Sequence, residues 1–389
     1  MKKKVGKVTA SYYPDMTGDY IYMPQEKIVD MLSDKKGRLK KHSEGRVFYK
    51  KEGNKIVFTS VIKNGRKYIS LHRFTEGLDK NKWSDLMDGC NKSGISPIGS
   101  YGKIFRAWHD KKYGRKNSPF FTSPETVEGI GRVDGGWEYG KEGYHRKALG
   151  FYDINRAYRW SATRGLPDMR SIRSIDSIPD VGIYFAVGKW DKIPPYQAMQ
   201  GDGFYPAIQE EVNYFGGFNP ERIVTFDKTV SLDPFFEWID RNFVERDSKQ
   251  AGRAFWGIWL SSDSTAFYFR NLSTGKETKM GNYFASPIAA YILMTRIKVL
   301  IASYNPVHVF VDSMITEEEP ANIGKKVGEF KIVANYPKGI YVHRAGFFMD
   351  LKTGIWERHT SVTTSGLSKY LKSKGLDKIG KEGHNEDQQ

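Results

Sequence analysis

The stretch HVFVDSMITEE, residues 308 to 318, decides the fold because it places one carboxylate at the end of an apolar run. The segment from His308 to Val311 carries the β-branched and aromatic side chains that are typical of a buried strand, and Asp312 follows it directly. An unpaired carboxylate in a protein core is costly. We therefore expect Asp312 to have a partner, and a metal ion is one candidate.

A second stretch, LGFYDINRAY, repeats this pattern far upstream. Asp153 follows the apolar run from Leu149 to Tyr152. Two aspartates that each end a hydrophobic strand can meet across a sheet and share divalent metal ions, and two-metal sites of this kind drive in-line phosphoryl transfer. Taken alone, each aspartate is more simply explained as a strand-end or turn residue. The interpretation therefore depends on the residues between them.

The composition points to a polyanionic partner. The chain has 389 residues with 61 Lys and Arg against 45 Asp and Glu, a formal net charge of +16, so nucleic acid is the first candidate, although a basic surface can also serve solubility. The single cysteine, Cys90, excludes an intramolecular disulfide and a cysteine-rich zinc site, and it fits a reducing compartment. The sequence contains no apolar run long enough to span a membrane, so we expect a soluble, intracellular protein.

The local patterns predict a mixture of short strands and helices. Residues 46 to 74 read as three strands joined by turns at 52–54 and 64–65, and residues 267–280 as a hairpin around Thr274-Gly275. Residues 180–188 read as a strand, while 100–114, 233–260 (as two helices or one interrupted helix) and 286–305 read as helices. Ser286 can cap the last helix, and Pro287 suits its first turn.

Three side chains between the aspartates have the spacing of one helical face. Lys249, Arg253 and Trp256 fall at i, i+4 and i+7, so two cations and an indole could grip a triphosphate and cover its base. Gly257, which follows, would let a nucleotide or another chain come close. A solvated helix with Trp256 in the core explains the same pattern equally well.

Tyrosines and a lysine near the two aspartates have two readings each. Tyr158 lies five residues after Asp153, where its ring could press on the sugar of a nucleotide or simply pack in the core. Lys338 and Tyr341 lie on a segment that we predict to be extended, where they could hold a nucleic-acid backbone or face solvent and core.

The order of these pieces resembles family B DNA polymerases over residues 130 to 345, and most closely the protein-primed branch of phages and linear plasmids. FYDINRAY is similar to the motif Asp-x-x-Ser-Leu-Tyr-Pro, KQAGRAFWG to Lys-x-x-x-Asn-x-x-Tyr-Gly and FVDSM to Asp-Thr-Asp-Ser. PKGIY is similar to Lys-x-Tyr, and GRVDGGWE to the linker motif Tyr-x-Gly-Gly. Each motif is weak alone, but five in the right order are specific.

The resemblance implies a role for each matching residue. Asp153 and Asp312, with the carbonyl of Ile154, would bind two Mg²⁺ or Mn²⁺ ions. The nucleotide would be held by Tyr158, Lys249, Arg253 and Trp256, and Tyr158 would exclude ribonucleotides. The DNA would be held by Gly135, Gly136, Lys338 and Tyr341.

The resemblance also implies the architecture and the partners. The fold would be α+β, with a palm of antiparallel sheet and helices, helical fingers at about 233–260 and a small thumb. The domains would be an N-terminal, mixed α/β or β-rich domain over 1–125, a palm and fingers core over 126–345, and a thumb-like region with a flexible basic tail over 346–389. The expected partners are primer–template DNA and deoxynucleoside triphosphates, with a terminal priming protein as a candidate. The chain would act as a monomer in the cytoplasm, or in the host cytoplasm if its source is a virus or mobile element.

The departures from the family pattern leave alternatives open. Phe310 replaces the first aspartate of the third motif, Arg156 replaces a serine, and Arg253 and Trp256 replace an asparagine and a tyrosine. The first hundred residues contain no Asp-x-Glu, the signature that opens the family's proofreading exonuclease. We expect a DNA-templated DNA polymerase without proofreading. The alternatives are a catalytically impaired DNA-binding protein on the same fold, and a primase or terminal transferase on the same palm.

Overall fold

The structure is a computed structural model, and it describes thirteen segments of the chain, which include both aspartates and most of the motifs. They are residues 13–14, 20–32, 45–52, 55–71, 78–95, 100–114, 117–120, 136–179, 182–197, 204–259, 267–280, 286–344 and 347–358. Gly135 and the basic tail lie outside these residues, so the predictions for them stay predictions.

The described residues form twenty-two strands and eight α-helices. The strands are Tyr13–Pro14 (β1), Tyr20–Met23 (β2), Arg46–Glu52 (β3), Lys55–Lys63 (β4), Arg66–Ser70 (β5), Glu138–Gly140 (β6), Gly143–His145 (β7), Leu149–Ile154 (β8), Leu166–Pro167 (β9), Ile172–Ile175 (β10), Ile183–Trp190 (β11), Tyr205–Ile208 (β12), Phe218–Phe226 (β13), Thr229–Val230 (β14), Phe267–Asn271 (β15), Glu277–Met280 (β16), His308–Phe310 (β17), Ser313–Thr316 (β18), Phe330–Tyr336 (β19), Ile340–Arg344 (β20), Phe347–Asp350 (β21) and Trp356–Arg358 (β22). The α-helices are Gln25–Leu32 (α1), Lys80–Ser93 (α2), Gly102–Tyr113 (α3), Ala157–Thr163 (α4), Gln209–Phe215 (α5), Asp233–Asn242 (α6), Glu245–Ala254 (α7) and Pro287–Ala302 (α8).

The chain divides into two compact units. The first unit contains residues 1–128, 167–171 and 228–290, and the second contains 129–166, 172–227 and 291–389. Neither unit is continuous in sequence, so each depends on strands and helices from distant parts of the chain.

A seven-stranded sheet with the order β1-β2-β5-β4-β3-β15-β16 is the main feature of the first unit. The strands β3, β4 and β5 form an antiparallel meander, whereas β2 and β5 are parallel. The turn from β4 to β5 has both central residues, Asn64 and Gly65, at positive φ, as the hairpin signal predicts. In the same unit, the residues Ile104, Phe105 and Trp108 lie on one buried face of α3.

Three antiparallel sheets make up the second unit. Their orders are β10-β13-β11-β12, β19-β8-β18-β17-β6 and β22-β21-β20-β7. The five-stranded sheet packs its inner face into a core that includes Tyr152, Ile154, Val309 and Met314, together with Ile297 and Ile301 from the second half of α8. The expected class, mixed helices with antiparallel sheets, is therefore confirmed.

The predicted elements are confirmed where the structure describes them, with one exception in detail. The three strands of 46–74, the helix in 100–114, the strand in 180–188, the hairpin at 267–280 and the helix after Ser286 are all present, and 233–260 forms two helices followed by a 3-10 turn. Ser286 occupies the N-cap position of α8, but its buried hydroxyl makes no hydrogen bond to the described residues. None of the helices that the structure describes is both long and apolar enough to cross a membrane.

A buried carboxyl group in the second unit, that of Glu211, carries a large energetic cost. It accepts hydrogen bonds from the Ile208 amide at 3.1 Å, from Gln197 at 2.8 Å and from the Tyr291 hydroxyl at 2.9 Å. The Tyr291 hydroxyl has one hydrogen but lies equally close to the Pro206 carbonyl, at 2.9 Å. If Glu211 is protonated, it can donate to the Tyr291 oxygen while the Tyr291 hydroxyl donates to the Pro206 carbonyl, so that both contacts are hydrogen bonds. Burial raises the pKa of Glu211 to about 7, although its hydrogen bonds act in the opposite direction.

We predict that Glu211 makes stability fall as the pH rises. Because the folded state raises its pKa from 4.5 to about 7, folding favours the protonated form. The stabilisation is complete below about pH 4.5 and is lost as the pH passes through about 7. Urea unfolding from pH 5 to pH 8 should show a fall in unfolding free energy that is greater, by up to about 3 kcal/mol, in the wild type than in Glu211→Gln.

The control variant is Glu221→Gln, which removes an exposed carboxylate from β13 of the same unit. It should keep the pH dependence of the wild type. Parallel curves for the wild type and Glu211→Gln would contradict the assignment of a buried, protonated carboxyl.

Candidate functional site

The hairpin of β17 and β18 carries Asp312 at its tip. Phe310 and Ser313 are cross-strand partners, so Val311 and Asp312 form a two-residue turn. Val311 has a φ of +59°, the left-handed value that tight hairpin turns require at their first central residue and that glycine adopts most readily. A β-branched residue in this conformation is unusual, and it costs of the order of 1–3 kcal/mol.

The neighbouring strand β8 brings Asp153 to this turn. Ser313 is the cross-strand partner of Asp153, and the Ile154 amide donates a hydrogen bond to the Asp312 carbonyl at 3.0 Å. The two aspartates that the sequence singled out, together with Ile154, are therefore adjacent on one edge of the five-stranded sheet.

A lysine that the sequence analysis missed also belongs to this edge. Lys331 on β19 is the cross-strand partner of Asp153, and its Nζ lies 3.0 Å from Oδ1 of Asp153. The side chains of Lys331 and Asp153 are 44% and 27% exposed, so the ion pair is partly solvated and contributes little stability. The ion pair places a positive charge directly beside the Asp153 carboxylate.

A second strained residue follows Asp153 in the chain. Arg156 has a φ of +52°, and its carbonyl accepts the Trp160 amide at the start of α4. The strand-to-helix turn before it is tied to the segment preceding β19, because the Asn155 amide donates to the Glu329 carbonyl at 2.9 Å. Strained backbone next to both aspartates means that the surrounding packing holds these positions firmly.

Gly136, which the sequence assigned to DNA binding, has a packing role at the same turn. A β-carbon built on Gly136 would lie 2.8 Å from Cγ2 of Val311, closer than side chains approach. The next residue, Trp137, accepts the Val311 amide through its carbonyl at 2.8 Å. The segment before β6 therefore supports the turn that carries Asp312, and only a residue without a side chain fits at position 136.

Tyr158 lies in the first turn of α4, five residues beyond Asp153. Its ring is partly buried and packs against the core cluster that contains Ile154 and Met314. The ring of Tyr158 therefore contributes to the core, and its role beside a nucleotide sugar stays a prediction.

The cations predicted on the helix at 249–256 lie in the first unit. Lys249 and Arg253 are exposed and one turn apart on α7, whereas the opposite side of the helix is buried through Asp247, Ser248 and Ala251. Trp256 departs from the prediction, because α7 ends at Ala254 and Trp256 lies in the 3-10 turn Phe255–Ile258. The tighter 3-10 geometry displaces its side chain from the face of an ideal α-helix.

An ion pair between the buried Asp247 and the partly exposed Arg246 anchors α7 inside the first unit. Asp247 is fully buried, and it accepts two hydrogen bonds from Arg246, at 2.8 and 2.9 Å, and one from the Tyr101 hydroxyl at 2.7 Å. Arg246 also donates to the Lys82 carbonyl at 3.1 Å. Burial and the adjacent Asp247 raise the pKa of Tyr101, so its hydroxyl stays protonated and keeps donating. This network fixes the helix that presents Lys249 and Arg253.

The residues Lys338 and Tyr341 do not share an extended segment, which corrects the prediction. Tyr341 lies on β20, but Lys338 is exposed in the turn that precedes it. Gly339 has a φ of +83°, and a β-carbon there would lie 1.8 Å from the His145 carbonyl oxygen. No lysine fits at position 339, and this explains why the lysine of PKGIY stands one position before the spacing of the family motif.

The donor atoms at the Asp153–Asp312 edge suit a hard cation. Within the described residues, no cluster of three or more His, Cys, Asp or Glu side chains is arranged to hold a metal ion. However, Mg²⁺ usually takes only a few oxygen ligands from a protein, because substrate phosphates and water supply the others. Two carboxylates and a backbone carbonyl match this requirement. The ligand chemistry therefore fits Mg²⁺ or Mn²⁺, and Lys331 shows that this edge accepts a cation.

We predict that Gly136 and Val311 are energetically coupled. Gly136→Ala should lower the unfolding free energy by about 1–3 kcal/mol, because the new methyl group overlaps the stiff Val311 side chain. Val311→Ala removes the overlapping Cγ2, so the double variant should recover most of this loss. Chemical unfolding of all four proteins gives the coupling energy, which we expect to be at least about 1 kcal/mol. Additive effects would contradict the packing described above.

Comparisons with known proteins show similarity at the level of the fold. No family model and no curated protein matches the chain. Among solved structures, the chain is similar to phi29 DNA polymerase complexed with single-stranded DNA, with a TM-score of 0.53 and 11% identity over 90% of this chain and 85% of that chain. It is also similar to an orthorhombic crystal form of phi29 DNA polymerase, with a TM-score of 0.55 and 10% identity over 92% of this chain and 86% of that chain. The chain therefore has a DNA-polymerase-like fold.

Proposed function

We propose that the protein is a DNA-templated DNA polymerase that adds deoxynucleotides to a primer 3′ end. One observation carries this proposal: β8 and the β17–β18 hairpin bring Asp153 and Asp312 to one sheet edge, linked by the Ile154–Asp312 hydrogen bond of 3.0 Å. The polymerase-like fold and the net charge of +16 support the same conclusion. The reaction class is phosphoryl transfer.

Asp153 and Asp312, with the carbonyl of Ile154, would hold Mg²⁺ or Mn²⁺. Such ions, when bound, supply the positive charge that neutralises a triphosphate and activates a hydroxyl nucleophile. The protein's own contribution is to hold both carboxylates in place, and the left-handed conformations of Val311 and Arg156 support this role. The ammonium group of Lys331 lies beside Asp153 and offsets part of the negative charge of that carboxylate.

The incoming nucleotide would be held by the exposed cations of α7. Lys249 and Arg253 lie one turn apart, a spacing that lets both contact one triphosphate. Trp256, displaced onto the 3-10 turn, would pack on the nascent base pair. Tyr158 would occupy the space beside the sugar 2′ position, so that a ribonucleotide meets its ring.

The DNA would be held by several regions without sequence readout. Lys338 in its exposed turn and Tyr341 on β20 would contact the primer strand, and Gly136 would act through the turn that it supports. We further propose that the protein acts as a monomer. We also propose that it does not proofread, because the acids of residues 1–125 lack the Asp-x-Glu spacing. A terminal priming protein is a candidate partner by the family resemblance alone.

A second candidate function follows from Phe310. This aromatic residue stands at the first motif-three position, where a carboxylate would add a further metal ligand. A protein with only Asp153 and Asp312 could bind primer–template DNA and extend it poorly or not at all. Extension of a labelled primer with Mg²⁺ and with Mn²⁺ distinguishes the two candidates, and unprimed or untemplated substrates test the primase and transferase alternatives.

We predict that Asp153→Asn and Asp312→Asn each lower the rate of primer extension at least about a hundredfold, because no third carboxylate among the described residues is arranged to hold a metal ion with them. The amide is nearly isosteric with the carboxylate, so thermal stability and affinity for primer–template DNA should change little. The control is Asp176→Asn, which removes an exposed carboxylate elsewhere in the second unit and should extend primers normally. An Asp153 or Asp312 variant that keeps a substantial fraction of the wild-type rate would refute the assignment.

We predict that Tyr158→Val raises the use of ribonucleotides relative to deoxyribonucleotides by at least about tenfold, because the shorter side chain leaves room for a 2′-hydroxyl. Single-nucleotide insertion with each kind of triphosphate measures the ratio. Tyr158→Phe keeps the ring and should keep the discrimination. If the wild type already uses both sugars equally well, the ring of Tyr158 serves the core only.

A further inference from the structure

Four side chains form a continuous row across the four-stranded sheet of the second unit. Tyr144 on β7 pairs with Tyr341 on β20, Tyr341 pairs with Met349 on β21, and Met349 pairs with Trp356 on β22. Directly paired residues of antiparallel strands point to the same face of the sheet. All four side chains therefore lie on one face.

This face is the outer one. The alternate residues of the same strands, Ile340, Val342 and Phe348, point the other way into a buried core cluster. On the outer face, Tyr144 is 49% exposed, and the side chains of Tyr341 and Trp356 are partly exposed. An outer sheet face normally carries polar side chains, so three aromatic rings in register require an explanation.

The three rings contact one another in a row across the sheet. The centroids of Tyr144 and Tyr341 lie 4.7 Å apart with planes inclined at 48°, and those of Tyr341 and Trp356 lie 5.9 Å apart at 89°. Tyr341 and Trp356 meet above Met349, which lies on the strand between them, and this explains why Met349 is buried. The Arg146 guanidinium lies 5.2 Å from the centre of the Tyr144 ring. We call Tyr144, Tyr341, Trp356 and Arg146 the aromatic platform.

The charges around the platform favour an anion. Lys141, Arg146 and Lys338 are exposed on the segments that flank it. Lys147 is also exposed, but it forms an ion pair of 2.7 Å with Glu317. Glu142 opposes this positive charge and lies 4.0 Å from Nδ1 of His343. The balance on these segments is positive, in keeping with the net charge of +16.

We propose that the aromatic platform binds unpaired bases of single-stranded DNA by stacking. Partly exposed rings beside cations are the arrangement by which proteins hold single strands without reading their sequence. An arginine plane next to a ring offers a second stacking surface. The choice of DNA rests on the proposed polymerase function. The stacking itself rests only on the ring geometry and charge given above.

The test measures the affinity for a fluorescein-labelled oligodeoxythymidine by anisotropy, without metal ions or nucleotides. Tyr144→Ala should bind between about fivefold and about a hundredfold more weakly than the wild type, since one stacked base is lost. Tyr144→Phe should bind like the wild type, because stacking needs the ring and not the hydroxyl. The exposed position of Tyr144 means that the variants should unfold at the wild-type temperature.

The matched control is Tyr214→Ala. Tyr214 is 47% exposed in the same unit, but it lies on α5, and its hydroxyl donates to the Ala302 carbonyl. Its removal should leave the affinity for oligodeoxythymidine unchanged. Blunt duplex DNA offers no unpaired bases, so Tyr144→Ala should bind it as well as the wild type.

The outcomes separate this inference from the proposed function. If Tyr144→Ala binds oligodeoxythymidine as tightly as the wild type does, the proposed role of the platform is wrong. It is also wrong if Tyr144→Ala loses as much affinity for duplex DNA as for oligodeoxythymidine. If Tyr144→Ala binds oligouridine more weakly than the wild type does but binds oligodeoxythymidine equally well, the ligand is RNA and the choice of DNA is wrong. If the platform variants behave as expected while no primer is extended by the wild type, the polymerase proposal fails and the single-strand site stands.

Discussion

The turn at Val311 and Asp312 is the constraint on which the candidate site depends. The hydrogen bonds that hold it include one from the Val311 amide to the Trp137 carbonyl and one from the Ile154 amide to the Asp312 carbonyl. They connect the turn to the segment before β6 on one side and to β8 on the other. A left-handed conformation at a β-branched residue persists only where its surroundings enforce it. The close approach of Gly136 to Val311 helps to hold this conformation, so the position of Asp312 depends on the packing behind the turn.

The sequence predicted the elements that depend on local patterns. The apolar run before Asp312, the Asn64-Gly65 turn and the amphipathic helix α3 each carry their information within a few residues, and the structure contains all of them. Local patterns also located both aspartates, because strand ends are visible in the order of apolar and polar side chains.

Local sequence patterns do not predict which residues pair across neighbouring strands. The pairing of Lys331 with Asp153 depends on the register of β19 against β8, which includes a bulge between Ile332 and Ala334. One residue of slip would turn Lys331 to the other face. The helical spacing misplaced Trp256 because it assumes α geometry throughout, whereas the chain changes to 3-10 geometry after Ala254.

Two of the buried carboxyl groups, those of Asp247 and Glu211, show two solutions to one electrostatic problem. Asp247 is balanced by the guanidinium of Arg246 and by a tyrosine hydroxyl, so that its charge is paired within the first unit. Glu211 in the second unit is surrounded by neutral groups, and burial favours its protonated form. The first solution uses a charged partner to hold a helix in place, whereas the second makes the stability of its unit depend on pH.

The pairing of β3 with β15 has a consequence for the order in which the chain can fold. These strands lie side by side in the first unit, yet they are more than 200 residues apart in sequence. At ribosomal rates of 5–20 residues per second, β3 waits roughly 10–40 s for its partner. During this time, the edge of β3 presents unpaired amide and carbonyl groups, the kind of edge that invites association with other chains. The first unit can therefore close only after two segments of the second unit, residues 129–166 and 172–227, have been synthesised. A chaperone or rapid completion of the chain would protect the exposed edge.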